Sequence, residues 1–250
     1  MRVALLPLAL LAACAAAPEP LAIPAGENPL QWQKDVDALA RQPSPAAHPI
    51  VFVGSSSIRL WSTLASDMAP MPVLNCGFGG SRIFDSLYWL DRLVTCREPS
   101  VMVVFAGTND IAGDAPRSGE WVAQRFDELV TRLRALGCDA PLVYVAISPT
   151  PSRARHLAIV EDANARIAAR CAADPSLHFV DTASGLLDRS GRPDPRWFGA
   201  DGLHLNADGY ARWTAQVRPV VAELYAQRGP AIAGASAPRR SAVGPRAAAR

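Results

Sequence analysis

The sequence predicts one α/β domain of the three-layer α/β/α type, in which about five parallel strands lie between two layers of helices. From Pro49 onward, short apolar runs that suit strands alternate with longer stretches whose apolar residues recur at helical spacing. The short runs are continuously apolar, which is typical of parallel strands covered on both faces. A chain of 250 residues, 50% of them hydrophobic, is long enough to bury one substantial core.

Each predicted strand ends close to a residue that favours a turn. The predicted strands are Ile50–Val53, Val73–Asn75, Val101–Ala106, Leu142–Ile147 and His178–Val180. The predicted helices run from Asn28 or Pro29 to Arg41, and over Ile58–Ser66, Ile83–Val94, Trp121–Leu136, Arg155–Ala172 and Ala207–Ala226. In sheets of this type, sites form beyond the carboxyl ends of the strands. Gly54, Asn75, Gly107 and Asp181 fall at those ends, so we expect a site there.

The two ends of the chain differ in composition from the predicted domain. Residues 1–14 join a basic start at Arg2 to a short apolar run and to Leu11-Ala12-Ala13-Cys14, which resembles the lipobox of bacterial lipoproteins. We therefore expect an exported protein of the periplasm or cell envelope, lipid-anchored at Cys14. The alternative is ordinary signal cleavage near residues 15–17, followed by secretion. Residues 15–29 are predicted to be a linker, 30–228 the folded domain and 229–250 a disordered tail.

Charge and cysteine spacing bear on the expected partners. The net charge is only +2 and the basic residues are spread along the chain, so no nucleic-acid partner is expected. Membrane contact is expected only through a lipid at Cys14. Cys76, Cys96, Cys138 and Cys171 could pair in an oxidising compartment, but the sequence does not select a connectivity. No CxxC motif occurs among them, so no metal site is expected.

Three serines follow the first predicted strand, in Gly54-Ser55-Ser56-Ser57. A serine at a strand-to-helix turn can hold its hydroxyl clear of the sheet and near the positive end of a helix, which suits a nucleophile. The alternative is that these serines only cap the helix that begins near Ile58, and Ser57 is the expected cap.

Two further blocks follow the second and third predicted strands. The glycines of Gly77-Phe78-Gly79-Gly80 let the backbone approach a ligand and direct N–H groups at an anion. A dinucleotide-binding loop would need a third glycine where Arg82 stands, which disfavours a nucleotide cofactor. Asn109, after the third strand, could donate a hydrogen bond into the same cleft. The alternatives are a tight turn for the glycines and a helix cap or turn for Asn109.

A histidine and a carboxylate stand together before the last predicted helix, in Asp201-Gly202-Leu203-His204. A carboxylate three residues ahead of a histidine on a loop can bind the ring Nδ1, select the tautomer and leave Nε2 free as a base. Both residues are also metal-ligand types, but no other ligand clusters with them in sequence.

Together, these blocks resemble the signature blocks of SGNH hydrolases, the superfamily that includes GDSL lipases and esterases, in the order Ser, Gly, Asn and His. The matching residues are Gly54-Ser55-Ser56, Gly80, Asn109 and Asp201-x-x-His204. The resemblance covers roughly residues 30 to 227, and the stretch DGLHLNxxGY at 201–210 is its most specific part. The family's Gly-Asp-Ser reads Gly-Ser-Ser here. Aligning Trp61 with the tryptophan of many relatives selects Ser56, with Ser55 and Ser57 as alternatives.

The resemblance implies a flavodoxin-like sheet of order 2-1-3-4-5 and an acyl-ester hydrolase that needs no metal and no cofactor. The expected cell-envelope location suits short-chain acyl or acetyl esters. The resemblance also implies that Ser56 is the nucleophile, His204 the base and Asp201 its partner. The oxyanion would be held by the backbone N–H groups of Ser56 and Gly80 and by the side chain of Asn109. The expected substrate is a small-molecule or glycan ester. An acyltransferase and a non-catalytic glycan-binding protein on the same fold are the alternatives.

Overall fold

A computed structural model describes residues 21–95 and 97–235 and confirms the predicted fold class. Five parallel strands form one sheet: β1 (Ile50–Gly54), β2 (Val73–Gly77), β3 (Val101–Phe105), β4 (Leu142–Val145) and β5 (Leu177–Val180). The strand order is β2-β1-β3-β4-β5, as the resemblance implied. In register, Gly54 at the end of β1 lies beside Gly77 of β2 and Phe105 of β3, so the loops that follow these strands leave the sheet side by side.

Eight α-helices are present among the described residues: α1 (Gln33–Ala40), α2 (Ser56–Arg59), α3 (Leu64–Asp67), α4 (Ile83–Tyr88), α5 (Leu90–Val94), α6 (Gly119–Ala135), α7 (Leu157–Ala172) and α8 (Ala207–Ala235). Short 3-10 helices cover Pro29–Trp32, Pro151–His156, Ser184–Leu186 and Pro195–Trp197. Two of the predicted helices, 58–66 and 83–94, are each divided in two. The chain turns at Trp61 and Trp89, whose indole rings are buried and donate to the Asp67 carboxylate and to the Pro29 carbonyl.

The sheet is covered on both faces, and its strands alternate between two cores. Val51 and Val53 of β1 belong to a core that also contains residues of α1, α4, α5, α6 and α7. Ile50 and Phe52 face a second core with α2, α3 and α8. All four side chains are fully buried. The continuous apolar run of β1 is therefore explained by burial on both sides of the sheet.

The ends of the chain and the cysteines are described only in part. Helix α8 continues to Ala235, beyond the predicted domain boundary at Arg228. Residues 1–20, with Cys14, and 236–250 lie outside the described residues, so the leader, the anchor and most of the tail stay predictions. Cys138 and Cys171 carry unpaired thiols, and Cys96 is not described. Within the described ranges, no helix is long and apolar enough to cross a membrane.

Candidate active site

The turn after β1 depends on a glycine. Gly54 has φ +151°, and a Cβ at this position would lie 2.0 Å from the carbonyl oxygen of Phe105 on the neighbouring strand. The Ser55 N–H donates to that same carbonyl at 3.2 Å, so the chain turns sharply against β3. Ser56 then becomes the first residue of α2. At that position a backbone N–H has no acceptor within its own helix.

The structure distinguishes the three serines of this turn. Ser56 is half-buried, and its Oγ lies 2.9 Å from Nε2 of His204. Ser55 is 2% exposed and Ser57 9% exposed. Ser55, and not Ser57 as expected, occupies the N-cap position of α2, and its side chain makes no capping hydrogen bond. The reason is that the helix begins earlier than expected, so Ser57 already lies within it.

His204 and Asp201 lie on the loop that precedes α8. Nδ1 of His204 lies 2.6 Å from Oδ2 of Asp201. The other carboxylate oxygen, Oδ1, accepts hydrogen bonds from the backbone N–H groups of Leu203 and His204, at 2.9 and 3.0 Å. The side chains remain accessible to water, with exposed fractions of 28% for His204 and 51% for Asp201.

These contacts assign the histidine tautomer. The Leu203 N–H, the His204 ring and the His204 N–H lower the pKa of Asp201 to about 2. Asp201 is therefore a carboxylate at neutral pH and can only accept, so Nδ1 of His204 must carry the proton. Nε2 then presents its lone pair to the Ser56 hydroxyl. This is the arrangement in which an imidazole can take a proton from a serine.

The loop around His204 is held in place by its own backbone. The N–H of Gly199 donates to the His204 carbonyl at 2.8 Å, and the N–H of Gly202 donates to the Gly199 carbonyl at 3.0 Å. Gly202 has φ +60°, a left-handed conformation that glycine adopts at little cost. Asn206 ties the loop to α8, because its amide donates to the Phe198 carbonyl and its oxygen accepts from the Gly209 N–H.

Gly80 and Asn109 come together from neighbouring loops. A Cβ added to Gly80 would lie 4.0 Å from Nδ2 of Asn109. That amide nitrogen donates to the Ser81 carbonyl at 2.9 Å, and the Ser81 hydroxyl contacts the Gly54 carbonyl at 3.4 Å. The structure thus joins the loops of Gly80 and Asn109 to the serine turn. Asn109 lies in a turn with no helix directly after it, so a helix-capping role is not observed.

An N-terminal segment contacts both the loop of Gly80 and the loop of Asn109. Glu27, with a side chain only 1% exposed, accepts from Nη2 of Arg117 at 2.9 Å and lies 3.6 Å from Nη1 of Arg82. The ring of Trp32 fills the space that a side chain at Gly79 would need. Arg82 follows β2 and Arg117 follows β3, so one buried carboxylate links the two loops.

Three side chains to which the sequence analysis gave no role support the site. The Asn75 amide donates to the Ile58 carbonyl of α2 at 2.6 Å. The Tyr210 hydroxyl donates to the Ser57 carbonyl at 2.8 Å. Arg153, which follows β4, donates to Oδ1 of Asn109 at 2.9 Å. Tyr210 falls in the most specific sequence block, whereas no local pattern marks Arg153, since its partner is 44 residues away.

A buried carboxyl group lies directly behind Asn109. Asp110 is 3% exposed, and burial raises its pKa to about 7, opposed by a hydrogen bond from the Ile83 N–H. Its second oxygen has no partner among the described residues. The same residues contain no group of three or more His, Cys, Asp or Glu side chains placed to hold a metal ion.

Comparisons with known proteins agree with this architecture. A protein from Bacteroides fragilis that is described provisionally as an acylhydrolase superposes with a TM-score of 0.67. Its sequence identity is 20%, and the match covers 80% of this chain and 99% of that one. A GDSL-like lipase from Bacteroides thetaiotaomicron gives 0.64 at 20% identity, over 78% and 98%. A carbohydrate esterase of family 3 from Talaromyces cellulolyticus gives 0.58 at 16% identity, over 72% and 99%. At these identities the likeness shows the fold.

The sequence itself carries the assignment to a family. No curated protein matches the chain. The sequence profile of the GDSL-like lipase/acylhydrolase family matches residues 50–212, which include every strand of the sheet and the serine, glycine, asparagine and histidine blocks. The chain therefore belongs to the GDSL-like lipase/acylhydrolase family.

Proposed function

We propose that this chain is a serine esterase that hydrolyses short-chain acyl esters, with Ser56 as nucleophile, His204 as general base and Asp201 as the partner of His204. One observation carries the proposal: the hydrogen-bonded chain from Ser56 Oγ to His204 Nε2, at 2.9 Å, and from His204 Nδ1 to Asp201 Oδ2, at 2.6 Å. These three side chains lie beyond the carboxyl ends of the strands, where sites of such sheets form.

The first half of the reaction forms an acyl-enzyme. His204 Nε2 takes the Ser56 proton as Oγ attacks the ester carbonyl carbon, and Asp201 stabilises the imidazolium. The carbonyl oxygen becomes an oxyanion, which accepts hydrogen bonds from the Ser56 and Gly80 N–H groups and from the Asn109 amide. His204 then gives its proton to the leaving alcohol as the carbon–oxygen bond breaks.

Water completes the second half by the same route. His204 takes a proton from water, the hydroxide equivalent attacks the acyl carbon, and Ser56 leaves with the proton returned by His204. The side chain of His204 is 28% exposed, so water can approach it, and we propose water as the acceptor.

The surroundings of Ser56 support a short acyl group. Behind it, Ser55 is buried and the backbone of Gly54 packs closely against Phe105, so the space on that side of the nucleophile is filled. Asp201 and His204 are 51% and 28% exposed, so we propose that the alcohol part of the ester extends toward solvent on that side, as a glycan alcohol could. Similar structures include an acetyl esterase that was crystallised with an acetate ion.

A series of p-nitrophenyl esters of increasing acyl length, followed by acetate release from acetylated glycans, tests the activity and its substrate class. Ser56→Ala should lower kcat by on the order of 10⁴ to 10⁶ with an unchanged thermal midpoint. Ser55→Ala and Ser57→Ala are the matched controls, and we expect both to stay within about tenfold of the parent. A fluorophosphonate should label a peptide at Ser56 alone. Turnover by Ser56→Ala at the parental rate would contradict the proposal.

A further inference from the structure

Arg153 occupies a place in the site for which the reaction scheme above has no role. It lies in the 3-10 segment Pro151–His156 after β4, with φ −122° and ψ 21°, which are not helical values. Its guanidinium donates through Nη1 to the backbone carbonyl of Thr108 and through Nη2 to the side-chain oxygen of Asn109. Arg153 therefore binds two successive residues of the loop that follows β3.

Among the described residues, the guanidinium of Arg153 makes no direct ion pair with a carboxylate. Both acceptors are neutral oxygens, and within the described residues the side chain forms no salt bridge. Burial lowers the pKa of Arg153, and the nearby Asp110 carboxyl opposes that effect. Keeping a cation half-buried without a carboxylate beside it costs stability, so such a group is more often kept for function than for folding.

The contact determines what the Asn109 amide can do. Because a guanidinium only donates, the atom it meets must be the amide oxygen, so the NH₂ group points the other way. One of the two amide hydrogens goes to the Ser81 carbonyl at 2.9 Å. The other stays available beside Gly80. A cation on the oxygen also draws electrons from the amide and makes its N–H a stronger donor.

The same segment also reaches the histidine loop. The N–H of Ser152, the residue before Arg153, donates to the Gly202 carbonyl at 2.9 Å. Gly202 lies between Asp201 and His204. The segment after β4 is thus joined on one side to the asparagine and on the other to the loop of the general base.

We propose that Arg153 is a positioning residue of the oxyanion site: it orients and polarises the Asn109 amide so that its free N–H meets the developing oxyanion. The role rests on the proposed esterase function. It predicts that the effect of Arg153 on the rate passes through Asn109. Arg153→Met should lower kcat by about 10- to 100-fold, a part of what losing one oxyanion donor costs, and leave KM within about twofold.

The experiment is a double-mutant cycle on kcat with a short acyl ester. Arg153→Met is made in the parent and in Asn109→Ala, and the thermal midpoint is measured for each variant. In the Asn109→Ala background, Arg153→Met should change kcat by less than about threefold, since the donor that it orients is gone. Arg153→Lys should be intermediate, because an ammonium keeps the charge but lacks the planar fork. If Arg153→Met does not fold, Arg153→Lys takes its place in the cycle.

The control is Arg155→Met. Arg155 is on the same segment, its side chain is 61% exposed, and it pairs with Asp114. We expect this variant to keep the parental kcat. Equal fold-losses from the Arg153 change in the parent and in Asn109→Ala would overturn the proposal, as would a parental kcat in Arg153→Met. Fluorophosphonate labelling separates the two hypotheses: an unlabelled parent refutes the esterase, whereas a labelled parent with an uncoupled Arg153 refutes the positioning role alone.

Discussion

Replacing Asp201 by asparagine tests whether the carboxylate is needed for the chemistry or only for the shape of its loop. Oδ1 of Asp201 accepts two backbone N–H bonds, at 2.9 and 3.0 Å, and an asparagine oxygen can accept both of them. The loop should therefore keep its conformation. What changes is the atom 2.6 Å from His204 Nδ1, which turns from a carboxylate oxygen into an NH₂ group.

The expected loss of rate follows from the tautomer. An NH₂ group can only donate, so it favours the imidazole whose Nδ1 is bare and whose Nε2 carries the proton. Nε2 would then donate to Ser56 Oγ, 2.9 Å away, and could no longer accept its proton. A tautomer reversal of this kind lowers kcat by about 10⁴ in serine hydrolases, which corresponds to roughly 5 to 6 kcal/mol of transition-state stabilisation. KM should change little, because substrate binding does not use this proton.

The assay is kcat and KM for a short acyl p-nitrophenyl ester, with the thermal midpoint of each variant. Asp201→Ala also removes the two backbone bonds, so it should lower the midpoint more than Asp201→Asn does. Asp194→Asn is a matched control: Asp194 also accepts a backbone N–H, from Arg196, but it has no histidine partner. It should stay within about twofold of the parental kcat.

A kcat of Asp201→Asn within tenfold of the parent would refute the tautomer argument. A rate loss that appears only together with a lowered midpoint would refute it as well, because the carboxylate would then act through the loop.

Two other substitutions test the framework of the site. Gly54→Ala would place a Cβ 2.0 Å from the Phe105 carbonyl oxygen, so the turn must move by about 1 Å and kcat should fall by about 10². Gly137→Ala is the control, because Gly137 has φ +77° and open space around the added carbon. This variant should lose about 1 kcal/mol of stability and keep the parental kcat. Equal effects on kcat in the two variants would disprove the steric argument. Asp110→Asn tests the buried carboxyl, whose pKa is raised from 3.8 to about 7. The folded state then binds more protons than the unfolded state between these pH values. The contribution of Asp110 to the free energy of unfolding is therefore fully present below pH about 4 and falls as the pH rises to 7. In Asp110→Asn the side-chain oxygen can still accept from the Ile83 N–H, so the variant should fold. Between pH 5 and pH 8 the thermal midpoint of the parent should drop by several degrees more than that of the variant. If the two midpoints change in parallel with pH, the burial of an ionisable Asp110 is not the cause.

The sequence alone predicted the sheet, since burial on both faces makes each parallel strand continuously apolar. It was less informative about the short helices. The apolar spacing of 58–66 and 83–94 suits a continuous helix, but the burial of Trp61 and Trp89 divides each segment, and a tryptophan's final position depends on residues far away in the chain. Helix boundaries are generally the least certain part of such a prediction for this reason.

The features that could be read from the sequence are local or periodic: the α/β class, the family, and the Asp201–His204 pair, whose members are three residues apart and meet within one loop. Contacts between side chains of different loops could be identified only in the folded chain. Ser56, and not Ser55 or Ser57, reaches a histidine that is 148 residues away, and Arg153 finds Asn109 at a separation of 44. Neighbouring parallel strands bring their carboxyl ends to one edge of the sheet whatever their distance in the chain, while the direction of each side chain there depends on the packed backbone around it. For Ser56 that direction depends on Gly54, which has no Cβ to meet the Phe105 carbonyl.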